Sequence, residues 1–530
     1  MSKFKRFFSI KRMPLNNKRE SGDKSISLPP DIEGKMQMLQ AYIKDSRDII
    51  VRSFHLGSHQ FTKAVIIYME GVIDTQFLNE DIIKPLMTQR KAGEPMEDVN
   101  KGLLKQIKNR LISVGQIQKQ NKLMETVQSI FDGHVVLLID NVSKVLVMNI
   151  HGGATRALDE PLTDKTICGP REGFIEDLTT NIALIRRKLR DPNLAVEKMI
   201  IGKRTRTDVA ILYIKDIAKD EIIDKVRERL KSINIDGILS IGQINQLIED
   251  NPNSTFPFYR EIERADIAVA ELLEGRAVII ANQSPLAVCY PAIFEEMLQA
   301  AEDYYSKPQI GTMTRIIRYI AFFSAVSLPA LYISIISFRQ ELIPYDLLVP
   351  IAKARSEVPF PAVFEVLILD IIIYIIYEAG LRMPGNIGQT IGVVAGIILG
   401  QAIISASLAS PAVIIVITIT AISTFSIPNT CMVFTVRYLR IGFIIAAATF
   451  GIFGFSIAWL FLIMHLIYQE SMGVPYFAPY GPLILSDLKD SLAHKWIFDF
   501  RKRPESIPNN NPVRQSKMKR IFRNDKSNKI

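Results

Sequence analysis

Three carboxylates stand inside one apolar run, VFEVLILDIIIYIIYEA, at Glu365, Asp370 and Glu378. On a helix, Asp370, Tyr374 and Glu378 fall at i, i+4 and i+8, one polar stripe on a rod of Ile, Leu and Val. A carboxylate facing lipid costs roughly 2.5–3.5 kcal/mol on insertion scales, so the stripe must face protein, water or headgroups. Two roles follow: an acidic lining that concentrates cations, or an interfacial helix whose acids meet headgroups. A second constellation lies in the next run, GNIGQTIGVVAGIILGQAIISASL. Gly388, Gly392, Gly396 and Gly400 recur at every fourth position. Glycine costs a helix in water roughly 1 kcal/mol against alanine, but in a bilayer a glycine file lets another backbone approach closely. The adjoining file is Gln389, Val393, Ile397, Gln401 and Ser405, polar at its ends and apolar in its middle. Amides and hydroxyls can replace water around an ion, and a Val/Ile girdle can close by dewetting. The same groups could instead hydrogen-bond a neighbouring helix of one bundle; several copies around a shared axis would make the file a pore lining.

Other chemistry is thinly represented. No phosphate-binding glycine loop, zinc-protease helix, nucleophile elbow or dinucleotide fingerprint occurs, so neither catalysis nor a cofactor is expected. His55 and His59 share a helical spacing without a third ligand, which reads as ordinary surface or core histidine. Arg186, Arg187, Lys188 and Arg190 end a helix, where cations suit the dipole. The turn Gly169-Pro170-Arg171-Glu172-Gly173-Phe174 precedes that helix and reads as structural, with an anion held at the helix start as the alternative. Cys168, Cys289 and Cys431 make no disulfide or metal pattern.

The elements that must position these groups divide the 530 residues in two. Up to about residue 310 charges are frequent and apolar runs short; residues 316–468 hold the long ones. The formal net charge is +10, yet residues 1–24 carry +6 and 495–530 carry +8, leaving about −4 elsewhere. Basicity therefore sits in two tails, which excludes a broad nucleic-acid-binding face and favours anionic headgroups on the cytoplasmic side. The basic N-terminus lacks the apolar core of a signal peptide, so the first half is expected to stay cytoplasmic.

The fold expected is an α/β cytoplasmic region of two lobes followed by an all-α polytopic membrane domain. The divisions are a basic arm (1–33), lobe 1 (34–130), lobe 2 (131–291), a membrane domain of four to five helices (311–470) and a basic tail (484–530). Strands are expected at 64–68, 134–139, 144–150, 209–214 and 276–281, and helices at 35–51, 97–114, 173–190 and 219–231. Two internal echoes stand out: 64–86 resembles 209–230, and 132–148 resembles 274–290. The apolar stretches are 316–338, 363–379, 387–408, 411–436 and 441–468. Two basic tails on one side need an even number of crossings. Four crossings are expected, with 363–379 interfacial or re-entrant; that arrangement puts Arg437 and Arg440 outside.

Several segments resemble one family: GPREGFIEDLTTNIALIRRKLRDPNL (169–194), ERADIAVAELLEGRAVIIANQSPLAVCYP (263–291), SEVPFPAVFEVLILD (356–370), EAGLRMPGNIGQTIGVVAGIILGQAII (378–404) and GVPYFAPYGP (473–482). They are similar to the A subunit of GerA-type nutrient germinant receptors of endospore-forming bacteria, over about residues 35–500. One departure is Phe256-Pro257-Phe258-Tyr259, where the family often has Pro-Phe-Pro-Gln. The resemblance implies a protein of the spore inner membrane, partnered by a transporter-like B subunit and a C-subunit lipoprotein. It implies a homo-oligomer, a ring of five, that forms a nutrient-gated channel for monovalent cations. The rival expectations are a non-conducting scaffold or signalling subunit and a secondary transporter.

Overall fold

Two five-stranded antiparallel sheets, built one after the other, organise the described part of the chain before the long helices. They belong to a computed structural model that describes residues 26–56, 62–88, 117–150, 152, 169–382, 396, 398 and 400–516. The first sheet follows α1 (Ile32–Ile43) and contains β1 (Ile49–Leu56), β2 (Thr62–Met69), β3 (Ile117–Gln120), β4 (Val135–Ile139) and β5 (Val145–Met148), with α2 (Leu123–Phe131) before β4. Its order is β1-β2-β4-β5-β3. The second follows α3 (Leu178–Lys188) and contains β6 (Leu194–Ile201), β7 (Thr207–Ile214), β8 (Arg260–Ile262), β9 (Ala277–Ala281) and β10 (Ala287–Tyr290). Between β7 and β8 lie α4 (Asp220–Ser232) and α5 (Ile241–Ile248); α6 (Ala265–Glu274) precedes β9. Its order is β6-β7-β9-β10-β8, the same path one lobe later. The two internal echoes are thus β2 against β7 and the hairpin β4–β5 against β9–β10.

The period-2 pattern explains why each sheet is covered on both faces. In β4, Val135, Leu137 and Ile139 enter one core while Val136 and Leu138 enter the other. In β9, Ala277, Ile279 and Ala281 meet α4 and α5, while Val278 and Ile280 meet α3 and α6. α4 buries Ile222, Ile223, Val226 and Leu230 along one stripe and leaves its charges outside.

Several expected boundaries need correcting. β4 and β5 lie in the first sheet, so the seam between lobes falls after Met148 and not near residue 131. The helix expected over 35–51 stops at Ile43, and β1 takes up the apolar Ile49-Ile50-Val51. The helix expected over 97–114, His59 and Cys168 lie outside the described residues. His55 is an exposed strand residue paired with Lys63. The lobes are clasped at the edge of β6: the Val196 amide donates to Asp45 O at 3.2 Å, and Arg186 Nε donates to Asp48 Oδ2 at 2.7 Å with both side chains buried.

A short 3-10 turn (Phe294–Leu298) and α7 (Glu302–Tyr305) lead from lobe 2 into α8 (Pro308–Phe338). Buried Asp303 receives Arg315 at 3.3 Å and Arg318 at 2.6 Å, fixing the base of α8. After α9 (Tyr345–Ser356) come α10 (Ala362–Arg382), a helical stretch described at 396, 398 and 400–405, α11 (Pro411–Phe425) and α12 (Thr430–Tyr468). α8 and α12 are each long and apolar enough to cross a membrane by length and composition.

α12 is a hairpin and not one rod. Gly451 has φ +59° and ψ −136°, a conformation that favours glycine. The Phe443 ring lies 6.1 Å from that of Phe455 and 5.3 Å from that of Trp459, although a straight helix would hold them about 18 and 24 Å apart. Thr435 at one end of the hairpin donates to Thr255 O, and His465 at the other lies 3.1 Å from Ser254 Oγ. Phe338, closing α8, packs on Gly451 at the opposite end. The expected stretches 411–436 and 441–468 are therefore redivided into α11, an arm over 430–450 and an arm over 452–468.

The chain beyond α12 returns to lobe 2. Asn510 N donates to Ile217 O at 2.8 Å, and Arg503 Nε donates to Leu273 O at 2.6 Å. The C-terminal segment and the two lobes thus lie at the same end of the helices.

Candidate functional site

The acid-bearing run folds as α10 and packs into the helical region. Val366 and Leu369 share a core with Ile333 of α8, Val413 and Ile417 of α11 and Ile444 of α12. Asp370 faces Arg440, which projects from the first arm of α12, and the two form an ion pair. The other two guanidinium nitrogens are also engaged: Nε donates to Ala325 O at 2.7 Å, and Nη2 to Thr424 Oγ1 at 2.5 Å. A charge in an apolar bundle is tolerable when it is paired and hydrogen-bonded in this way. One turn away, the Arg437 guanidinium lies 4.0 Å from the Tyr377 ring and 5.2 Å from the Tyr374 ring, a cation–π arrangement. Tyr374, the middle member of the sequence stripe, therefore meets an arginine, as Asp370 does. Glu378 lies two turns beyond Asp370 on α10, half-buried.

Glu365 sits apart from that pair, nearer the Phe338 end. Its side chain is fully buried; Oε2 accepts the Ser410 amide at 2.9 Å, and Oε1 lies 3.8 Å from Arg355 Nε of α9. The structure thus separates the three acids into different surroundings. Arg440, which answers Asp370, stands with Arg437 as an i, i+3 pair within apolar sequence, and cations so placed call for partners.

In the glycine file, Gly388 and Gly392 lie outside the described residues, as do Gln389, Val393 and Ile397. Gly396 and Gly400 are described, and a Cβ added at either would meet nothing within 4 Å. Gln401 and Ser405 are both exposed, while Ile403 and Ala409 turn inward to the core shared with α10 and α11. This stretch therefore touches its own chain along one face and leaves its amide, hydroxyl and glycines open on the other.

Family comparison decides what kind of protein carries this arrangement. The model of the Bacillus/Clostridium GerA spore germination protein matches residues 37–506. The chain belongs to the GerA family. It is similar to spore germination protein KA of Bacillus subtilis, at 35% identity over 95% of this chain and 91% of that protein. Similarity to spore germination protein GerLA of Bacillus cereus is 34%, over 90% of this chain and 96% of that protein. Among solved structures, the N-terminal domain of the A subunit of the Bacillus megaterium spore germinant receptor GerK3 matches at 27% identity and TM-score 0.37. It covers 51% of this GerA-family chain and 98% of that domain.

Proposed function

We propose that this GerA-family chain is the A subunit of a nutrient germinant receptor and that copies of it assemble into a nutrient-gated path for monovalent cations. The observation that carries the reading is the open face around Gly396, Gly400, Gln401 and Ser405. Polar groups on an apolar bundle need a polar or aqueous neighbour, and unfilled glycines admit a second backbone. A ring of copies, taken as five from the family resemblance, supplies both: helix contact along the glycines and a hydrated centre lined by Gln389, Gln401 and Ser405, with Val393 and Ile397 as its apolar girdle. A transporter-like B subunit and a lipoprotein C subunit would deliver the nutrient signal.

The membrane topology that fits is six passes: α8, α10, the stretch ending at 405, α11 and the two arms of α12. Alternate passes run in opposite directions, so lobes and C-terminal segment share the cytoplasmic side of the spore inner membrane. Arg437 and Arg440 then lie within the bundle, not outside it. Glu365, Asp370 and Glu378 remain the acids of the cation path, with Asp370 already compensated by Arg440. Rubidium flux into vesicles bearing the assembled receptor tests the reading. Nutrient should start the flux, and Gln401→Leu should reduce it severalfold with assembly intact; equal flux in the variant would remove this helix from the path.

A further inference from the structure

Four buried polar atoms converge from four elements at the Phe338 end of the bundle. They are Tyr332 Oη of α8, Arg355 Nε of α9, Glu365 Oε1 of α10 and Ser410 Oγ, immediately before α11. Each is shielded from solvent, and none meets full hydrogen-bond geometry with a partner among the described residues. Tyr332 faces Ser410, with Arg355 and Glu365 in electrostatic reach. Native interiors rarely leave one such atom unmatched, and four together call for an explanation.

The Arg355–Glu365 contact is the anomaly. At 3.8 Å it is an ion pair but too long for a hydrogen bond. The guanidinium neutralises the acid without satisfying the oxygen it faces. Arg355 also comes from a helix that buries no residue: α9 exposes Tyr345, Leu347 and Val349. Its hold on the bundle is correspondingly slight. By contrast, Glu365 and Ser410 are locked to one another and 1% exposed. The fixed members of the cluster are thus three oxygens, the ligand type that hard cations take; the loosely held member is itself a cation.

We propose that Glu365 Oε1, Ser410 Oγ and Tyr332 Oη form a binding site for a monovalent cation, and that Arg355 is a tethered cation which occupies it until α9 lifts away. The inference rests on the cation-path reading and deepens it: the path acquires a site at the end remote from the lobes, closed by a displaceable charge. The same four groups explain why Glu365, unlike Asp370, lacks a close guanidinium partner.

Thermal unfolding of the full-length chain in detergent tests the site without requiring conduction. Wild type should melt alike in potassium chloride and choline chloride of equal ionic strength, because Arg355 already fills the site. Arg355→Gln should melt about 2–4 °C higher in potassium than in choline. Arg355→Gln/Glu365→Gln should lose that difference. An Arg355→Gln chain that melts equally in both salts overturns the proposal. So does one that fails to fold in either salt while the double variant folds, since the acid would then need the guanidinium itself. If both variants fail to fold, rubidium flux through assembled Glu365→Gln receptor decides: a severalfold fall supports the site, and unchanged flux overturns it. Wild-type receptor that passes no rubidium with nutrient removes the channel reading; the salt-dependent melting still judges the site.

Discussion

Arg440 shows what an ionisable residue inside an apolar bundle requires. Each of its three guanidinium nitrogens donates a hydrogen bond, to Ala325 O, Asp370 and Thr424 Oγ1, so the charge is paired and hydrogen-bonded. Removing one partner of such a pair typically costs about 3–5 kcal/mol, whereas replacing both by apolar groups is often neutral. Arg440→Gln should therefore lower the melting midpoint of the detergent-extracted chain markedly, and Arg440→Met/Asp370→Leu should recover most of the loss. In the soluble region, burial pushes the Glu295 carboxyl up to about 8, helped by Asp490 and Glu296 and opposed by Ser491 and Arg315. Its pKa is higher folded than unfolded, so the proton it keeps stabilises the fold below the unfolded value, and that contribution is lost as pH rises through 8. Glu295→Gln should match wild type near pH 5 and be more stable by about 1–3 kcal/mol near pH 9. A stability gap that does not grow across that range would contradict the assignment.

Two glycines of the helical region play opposite parts. At Gly451 the backbone is in a region nearly restricted to glycine, and an added Cβ would stand 2.9 Å from the Phe338 ring. Gly451→Ala carries about 1–3 kcal/mol of backbone strain before that contact is counted, and should reduce the yield of folded chain. Gly396→Ala meets nothing of its own chain, so the fold should hold or gain slightly from helix propensity, while association of copies, read by size-exclusion chromatography, should weaken. The hairpin at Gly451 is not legible in the sequence because FGIFGFSIAW changes direction without a charged residue or a proline. The expected run 411–436 also passes over a break: Pro428 and Asn429 follow α11, and Asn429 Oδ1 accepts the Met432 amide at 2.9 Å as an N-cap. The strands β2 and β7 follow directly from their β-rich apolar runs. Ile49-Ile50-Val51 fits either period over so short a run, which extends the expected helix across the start of β1.

Across the whole molecule, the repeated strand order of the two lobes was foreshadowed by the internal echoes, since equivalent strands need equivalent patterns. The candidate site was legible only in part. The acids and the open polar face follow from periodicity, but Asp370 finds Arg440 seventy residues away, a pairing that only the tertiary fold sets. The proposed six passes would put α9 on the side opposite the lobes. A cysteine at Leu347, in a chain stripped of its native cysteines, should react with an impermeant thiol reagent from the outer side only. A cysteine at exposed Asp220 of α4 should react from the inner side only. Both reacting from one side would refute the topology. The most direct test of the central claim uses Ser405→Cys in the same cysteine-free receptor, assembled in vesicles. A thiol reagent should label Cys at that position and block nutrient-driven rubidium flux; complete labelling with undiminished flux would show that ions do not pass along this face.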